Sequence, residues 1–234
     1  TRPTETEPAL LTFSEVNTFL HEFGHALHGM LTRTNYESLS GTSVYRDFVE
    51  LPSHFMENWL KEKDYLDKFA FHYQTGDKMP EELLQSIVDA SNYNVGYATL
   101  RQLSFGYLDM AWHSLNQPFV SEASTPIRDF ETKAMERVQL LPVINETCMS
   151  TSFNHIFSGG YAAGYYSYKW AEVMDADAFS LFKENGIFDK ATADSFRRNI
   201  LERGNTEEPE KLYKRFRGRE ASVDALLERS GVKK

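Results

Sequence analysis

Residues 11–33, LTFSEVNTFLHEFGHALHGMLTR, constrain the fold more tightly than any other part of the 234-residue chain. Phe13, Val16, Phe19, Leu20, Phe23, Leu27 and Leu31 recur at spacings of three and four, which a helix turns into one apolar stripe and a strand cannot. The same stripe carries HEFGH at 21–25. Positions four apart lie one above the other on a helix, so His21 and His25 can offer two imidazole nitrogens to one ion. Glu22 stands about 100° further round. That is too far to join both histidines as a natural ligand, but near enough to reach a water held on the metal. Two ligands and a general base are the mechanical content of H-E-x-x-H. A helix with two half-buried, hydrogen-bonded histidines would show the same letters, so the rest of the chain has to discriminate. His28 follows seven after His21, and the expectation for it is a supporting or surface position, not a ligand.

A catalytic zinc takes three protein ligands and keeps one position open. A third histidine six residues after His25 is absent, since Leu31 stands there. The following segment RDFVELPSHFMENW offers Asp47, Glu50 and Glu57. Glu50 and Glu57 are seven apart and share a helix face, so either reaches the metal on spacing alone. Glu57, two turns deeper, is the better placed to orient a ligand histidine. Glu50 lies among Phe48, Val49 and Leu51, and a carboxylate buried there requires a partner.

Helical patterning extends nearly throughout. A second helix is expected from about 49 through HFMENWLKE, with Pro52 in its first turn. Others follow over YLDKFAFHYQTG, over PEELLQSIVDASNYN, from 96 to 116 and from 126 to 140. Three more cover 163–184, 189–203 and 207–217, with a last one near 220–230. The stretch LPVINETCMSTSFNHIFSGGYAAG has no clean period and reads as a loop entering a helix near Ala162. The fold class is all-α or nearly all-α, in a single domain spanning 1–234. No run of 18 apolar residues is present, so no membrane span is expected. With 34 acidic and 25 basic side chains the net charge is −9, which leaves no basic stripe for nucleic acid. The single cysteine, Cys148, excludes an intrachain disulfide and fits a reducing compartment. The N-terminus has no signal-peptide pattern and does not begin with Met.

LTFSEVNTFLHEFGHALHGM followed by SGTSVYRDFVELPSHFMENW resembles the thimet-oligopeptidase family of zinc peptidases. The spacing from first histidine to glutamate, 50 − 21 = 29 residues, is that of the family. The likeness continues in FNHIFSGGYAAGYYSYKWAEV and ILERGNTEEPEKLYKRFRGRE, and covers essentially the whole chain. It looks most like the C-terminal third of the bacterial peptidyl-dipeptidase (dipeptidyl carboxypeptidase) branch, with the oligopeptidase branch close behind. The resemblance implies a zincin-like helical fold and one zinc ion held by His21, His25 and Glu50, with Glu22 as base. It gives His155, Tyr161, Tyr165 and Tyr168 roles in contacting substrate or the tetrahedral intermediate, where residue pattern alone would read core aromatics. Tyr166 is expected to pack inward. It implies a peptide substrate, release of C-terminal dipeptides or internal cleavage, cytoplasmic residence, and an N-terminal region of the same chain as the missing partner. Without that region the segment would bind zinc and cut little. Arg101, Arg197, Arg198 and Arg203 are available for a substrate carboxylate, and spacing does not choose among them.

Overall fold

The structure, a computed structural model, describes residues 2–120 and 126–233. Among these the regular elements are helical: α1 (Phe13–Met30), α2 (Arg46–Val49), α3 (Leu51–Glu57), α4 (Lys63–Leu66), α5 (Glu81–Asn92), α6 (Val95–His113), α7 (Pro126–Met135), α8 (Asn154–Phe157), α9 (Ser167–Asn185), α10 (Lys190–Phe196), α11 (Pro209–Arg217) and α12 (Asp224–Arg229). Extended pairing among the described residues is limited to one isolated bridge, Phe71 with Lys78. The chain folds as two compact units, one up to Asn92 together with the residues from Ala171 on, the other Tyr93–Trp170.

In the first unit, α1 starts where Thr12 accepts from the Glu15 N–H and Glu15 Oε2 accepts from the Thr12 N–H at 2.7 Å. That reciprocal capping satisfies two donors left over at a helix start. Pro52 sits in the first turn of α3, where its missing N–H costs nothing. The core is aromatic: Phe48, Phe55, Trp59, Phe179, Phe182, Phe196 and Phe216 are buried in one cluster. Phe55 stacks on Phe196 at 4.1 Å and meets Trp59 edge-on at 4.9 Å. Truncating a ring so buried costs about 3–5 kcal/mol. Helix α9 brings Asp175 and Asp177 into this interior, and each is paired: Asp175 with Asn58 and Arg229, Asp177 with Tyr213, Arg217 and Arg219. A buried carboxylate without such partners would be prohibitive.

The second unit has its own core of Phe105, Leu108, Phe153, Ile156 and Tyr165. Several expected helices are shorter. Of YLDKFAFHYQTG only Tyr65 and Leu66 are helical, as the end of α4, and the chain then leaves for the Phe71–Lys78 bridge. Gly76 at φ +76° makes the tight return between those two residues. The helix expected over 189–203 passes at Arg197–Leu201 into a π turn.

Candidate metal centre

Helices α1 and α3 pack against each other so closely that only glycine fits at the crossing. A Cβ on Gly24 would lie 2.4 Å from the Pro52 carbonyl oxygen and 2.6 Å from the Ser53 Cα. Gly24 is one of the two unspecified letters of H-E-x-x-H, and its lack of a side chain lets the two histidines approach α3. Residue pattern gave no role to this glycine. The available signal was its position inside an apolar-periodic helix, where glycine costs helix stability and so implies a packing reason.

Glu50 occupies the single-residue joint between α2 and α3 and is 3% exposed. Its Oε2 lies 3.4 Å from His21 Nε2 and 3.2 Å from His25 Nε2, and accepts from Ser53 Oγ at 2.8 Å. The tetrahedral edge around zinc, with bonds of about 2.1 Å, is roughly 3.4 Å. The separations of Glu50 from both histidines therefore suit a common ion. A second possible metal group, His21, His54 and Glu57, shares one histidine with the first. There His21 Nδ1 is only 2.7 Å from Glu57 Oε1, a hydrogen bond and too short for two ligands of one ion. Asn17 holds the other Glu57 oxygen at 2.9 Å. Glu57 accepts from the His21 Nδ1–H, which leaves the Nε2 lone pair available to an ion placed between Nε2 and Glu50.

Electrostatics prepare the same place for positive charge. Burial pulls the His21 imidazolium toward neutrality, but Glu50 and Glu57 together overcome it and raise the ring to about 9. Burial likewise pushes the Glu57 carboxyl up, and the His21 hydrogen bond, His54 and Asn17 hold it below the ordinary carboxylate value. Glu22 projects from the exposed side of α1 and makes no hydrogen bond among the described residues. Of the two positions expected for His28, supporting or surface, the second is excluded. His28 is 0% exposed, and neither ring nitrogen has a partner among the described residues. Burial, then the charge of His25, lowers it to about 4.

The second unit gathers His155, Tyr161, Tyr165 and Tyr168. Tyr161 stacks on Tyr168 at 4.9 Å, and the His155 ring lies 6.1, 5.8 and 6.1 Å from Tyr161, Tyr165 and Tyr168. His155 is exposed on the one-turn α8, whereas Tyr165 is buried with its hydroxyl donating to Gln102 Oε1 at 3.3 Å. Tyr166, expected to pack inward, is 49% exposed, because the turn preceding α9 rotates it away from Tyr165.

What shapes this loop is Asp109 on α6, which residue pattern also passed over. It is fully buried, and its two oxygens accept from the Ala163 N–H at 2.9 Å and the Tyr165 N–H at 2.8 Å, with His113 Nδ1 at 2.7 Å. Ala163 has φ +52°, a left-handed backbone that costs a non-glycine residue about 1–2 kcal/mol. Hydrogen bonds to a charged group are worth about 1.5–3 kcal/mol each, enough to hold that conformation. The signal in the sequence was an aspartate in an apolar helix with a histidine four residues on.

No helix among the described residues is long and apolar enough to cross a membrane. Compared with known proteins, residues 1–232 match the model of peptidase family M3. Oligopeptidase A of Escherichia coli (strain K12) is 48% identical over 233 residues, covering 99% of this chain and 34% of that protein. Organellar oligopeptidase A, chloroplastic/mitochondrial, of Arabidopsis thaliana is 44% identical over 237 residues, 99% of this chain and 30% of that protein. Dipeptidyl carboxypeptidase of E. coli is 42% identical over 232 residues, again 99% and 34%. The chain spans about a third of the length of the curated relatives it matches.

Proposed function

Since the chain belongs to peptidase family M3, we propose that it performs zinc-dependent hydrolysis of short peptides, with His21, His25 and Glu50 holding one zinc ion. The observation that carries this reading is the pair of 3.2 and 3.4 Å separations meeting at a buried Glu50 oxygen. Two imidazoles and one carboxylate are a donor set zinc accepts while keeping a position open. Zinc bound there supplies Lewis acidity toward a peptide carbonyl and toward water. Glu22 accepts the proton of the attacking water and returns it to the leaving amine. His155, Tyr161 and Tyr168 are the donors this chain offers to the oxygen on which negative charge develops, and Tyr165 shapes the surface beside them. Glu57 keeps His21 oriented through its Nδ1–H.

Release of C-terminal dipeptides is the primary reading. Internal cleavage is the second, favoured by the 48% identity to a protein named oligopeptidase A against 42% to one named dipeptidyl carboxypeptidase. Cytoplasmic residence belongs to the same proposal, supported by a 43% identical Arabidopsis relative named probable cytosolic oligopeptidase A. The test is mass spectrometry of an unstructured peptide digested by zinc-loaded protein, with its C-terminus free or amidated and with Glu22→Gln as control. Stepwise loss of dipeptides from the free form alone establishes the exopeptidase, and internal cuts in both forms the endopeptidase. Zinc retention without cleavage of either would make the segment a metal-binding portion that needs more chain to act. Cutting that persists in the zinc-free protein or in Glu22→Gln defeats the mechanism.

A further inference from the structure

The second unit contains a cavity of about 380 Å³ between α6, α7 and the loop 139–149. Three charged side chains line it: Arg101, Arg128 and Glu131. Glu131 is already engaged. It is buried, and its two oxygens accept from the Met149 N–H at 2.8 Å, the Ser150 N–H at 2.7 Å and the Ser150 hydroxyl at 2.8 Å. The two arginines are not. Neither makes an ion pair or a side-chain hydrogen bond among the described residues; Arg128 is half-buried and Arg101 exposed. The Arg101 guanidinium is held over the Phe105 ring at 4.9 Å, which fixes its plane and leaves its N–H groups free. Phe105 in turn meets Tyr165 edge-on at 5.7 Å, so Arg101 is one ring away from the His155–tyrosine cluster. Leu141, Val143 and Ile144 line the same cavity and form a largely exposed apolar lip.

An anion with an apolar body is what this combination fits. A guanidinium fork matches the two oxygens of a carboxylate, and the lip accepts an aliphatic side chain beside it. The volume is within the range of small-ligand sites, with room for the end of a peptide and not for its length. We infer that this cavity binds the C-terminal carboxylate of a peptide whose last residues are apolar, with Arg101 and Arg128 as the carboxylate-recognising pair. The identity of the ligand rests on the peptidase reading above, whereas the charge and shape of the cavity do not. Burial raises the Tyr165 phenol and the charge of Arg101 acts against it, so the arginine's field reaches that hydroxyl.

The experiment uses the full chain with Glu22→Gln, so that the probe survives. The probe is a fluorescently labelled hexapeptide of alanine and leucine, prepared as the free acid, as the amide, and as the amide with glutamate at the last position. Fluorescence polarisation gives Kd for each. The acid is expected to bind roughly ten- to a hundred-fold more tightly than the amide, the worth of one or two hydrogen bonds to a charged group. Arg101→Gln is expected to remove most of that difference and Arg128→Gln a part, with the amide's Kd unchanged, which also shows that the variants fold. Tight binding of the glutamate amide would show that any carboxylate suffices and overturn the claim for the C-terminus. Equal binding of acid and amide, an acid preference that survives both substitutions, or no saturable binding at millimolar peptide would overturn the site. Acid-selective binding in Glu22→Gln, alongside a zinc-loaded parent chain that cleaves neither the acid nor the amide, would leave the site standing and count against the peptidase reading.

Discussion

Replacing Gly24 by alanine pits two effects against each other, and their sizes decide the outcome. In a helix interior alanine is better than glycine by about 1 kcal/mol, so a crossing with spare room would gain stability. The structure has no such room: the new methyl would lie 2.4 Å from the Pro52 carbonyl oxygen and 2.6 Å from the Ser53 Cα. Contacts between such atoms are comfortable near 3.5 Å, so the two backbones must part by about 1 Å. Both obstacles are backbone atoms and have no rotamer to change. Overpacking of this kind costs about 1–3 kcal/mol, which cancels or exceeds the gain in propensity. The larger consequence is local. His21 and His25 ride on α1 and Glu50 opens α3, so a shift near 1 Å spoils edges of 3.2 and 3.4 Å when metal–ligand distances tolerate about 0.2 Å. Zinc affinity, measured by competition with a chromophoric chelator, is expected to fall at least ten- to a hundred-fold, as when a supporting residue of a metal site is lost. The melting midpoint of the zinc-free protein, followed by circular dichroism, is expected to drop modestly or hold. A variant that melts higher and binds zinc like the parent would refute the reasoning.

Glu57→Gln is expected to weaken zinc binding by about 10–100-fold through the lost orientation of His21, whereas Glu50→Ala loses the metal outright after dialysis. Full zinc retention in Glu50→Ala would hand the ligand role to Glu57. Asp109→Ala is expected to leave zinc binding intact while exposing the 159–165 loop to limited proteolysis and weakening peptide binding. Unchanged proteolysis and peptide affinity would remove Asp109 as the loop's clamp. His28 sets a pH dependence. Its folded value of about 4 lies below the ordinary 6.5, so between the two the unfolded chain carries a proton that the folded chain does not. Stability therefore falls as pH is lowered through that window, by a total on the order of 3 kcal/mol. Urea titrations at several pH values should show this slope in the parent and lose it in His28→Leu; an equal slope in both would exonerate His28.

How much of this was written visibly in the chain depends on the range of the interaction concerned. The helix α1 and the placing of His21 and His25 on one of its faces follow from a period of three to four residues, which any window of the sequence shows. The choice between Glu50 and Glu57 did not follow from period, because seven residues apart means the same face. In the structure they differ in depth: Glu50 is buried at the α2–α3 joint, and Glu57 is half-buried and bonded to the other nitrogen of His21. The stripe gives the helix but not its depth: Leu20 is buried whereas Phe19 is 62% exposed, and His28, expected in a supporting or a surface position, is enclosed. The stretch at 63–79 shows the reverse failure, since its apolar residues have helical spacing but the chain turns back at Gly76 to pair Phe71 with Lys78.

Asp109 marks the limit of such reading most clearly. Its partners are 54 and 56 residues away, in a glycine-rich loop without any period, and no local rule connects an acid on one helix to two N–H groups of that loop. Yet the loop's letters are intelligible once the acid is placed. Gly160 at φ +82° and Ala163 at φ +52° turn the backbone so that the Ala163 and Tyr165 N–H groups converge on one carboxylate. That turn is what brings Tyr161, Tyr165 and Tyr168 against His155. Glycine freedom therefore explains why the loop can adopt its shape, and the buried aspartate explains why it adopts this one. The same division holds at the metal centre, where Gly24 permits the approach of α1 to α3 and the carboxylates of Glu50 and Glu57 give that approach its chemical use. In both places sequence pattern reveals the groups that carry chemistry and leaves unmarked the small or buried residue that positions them, because positioning is a property of contacts across the fold.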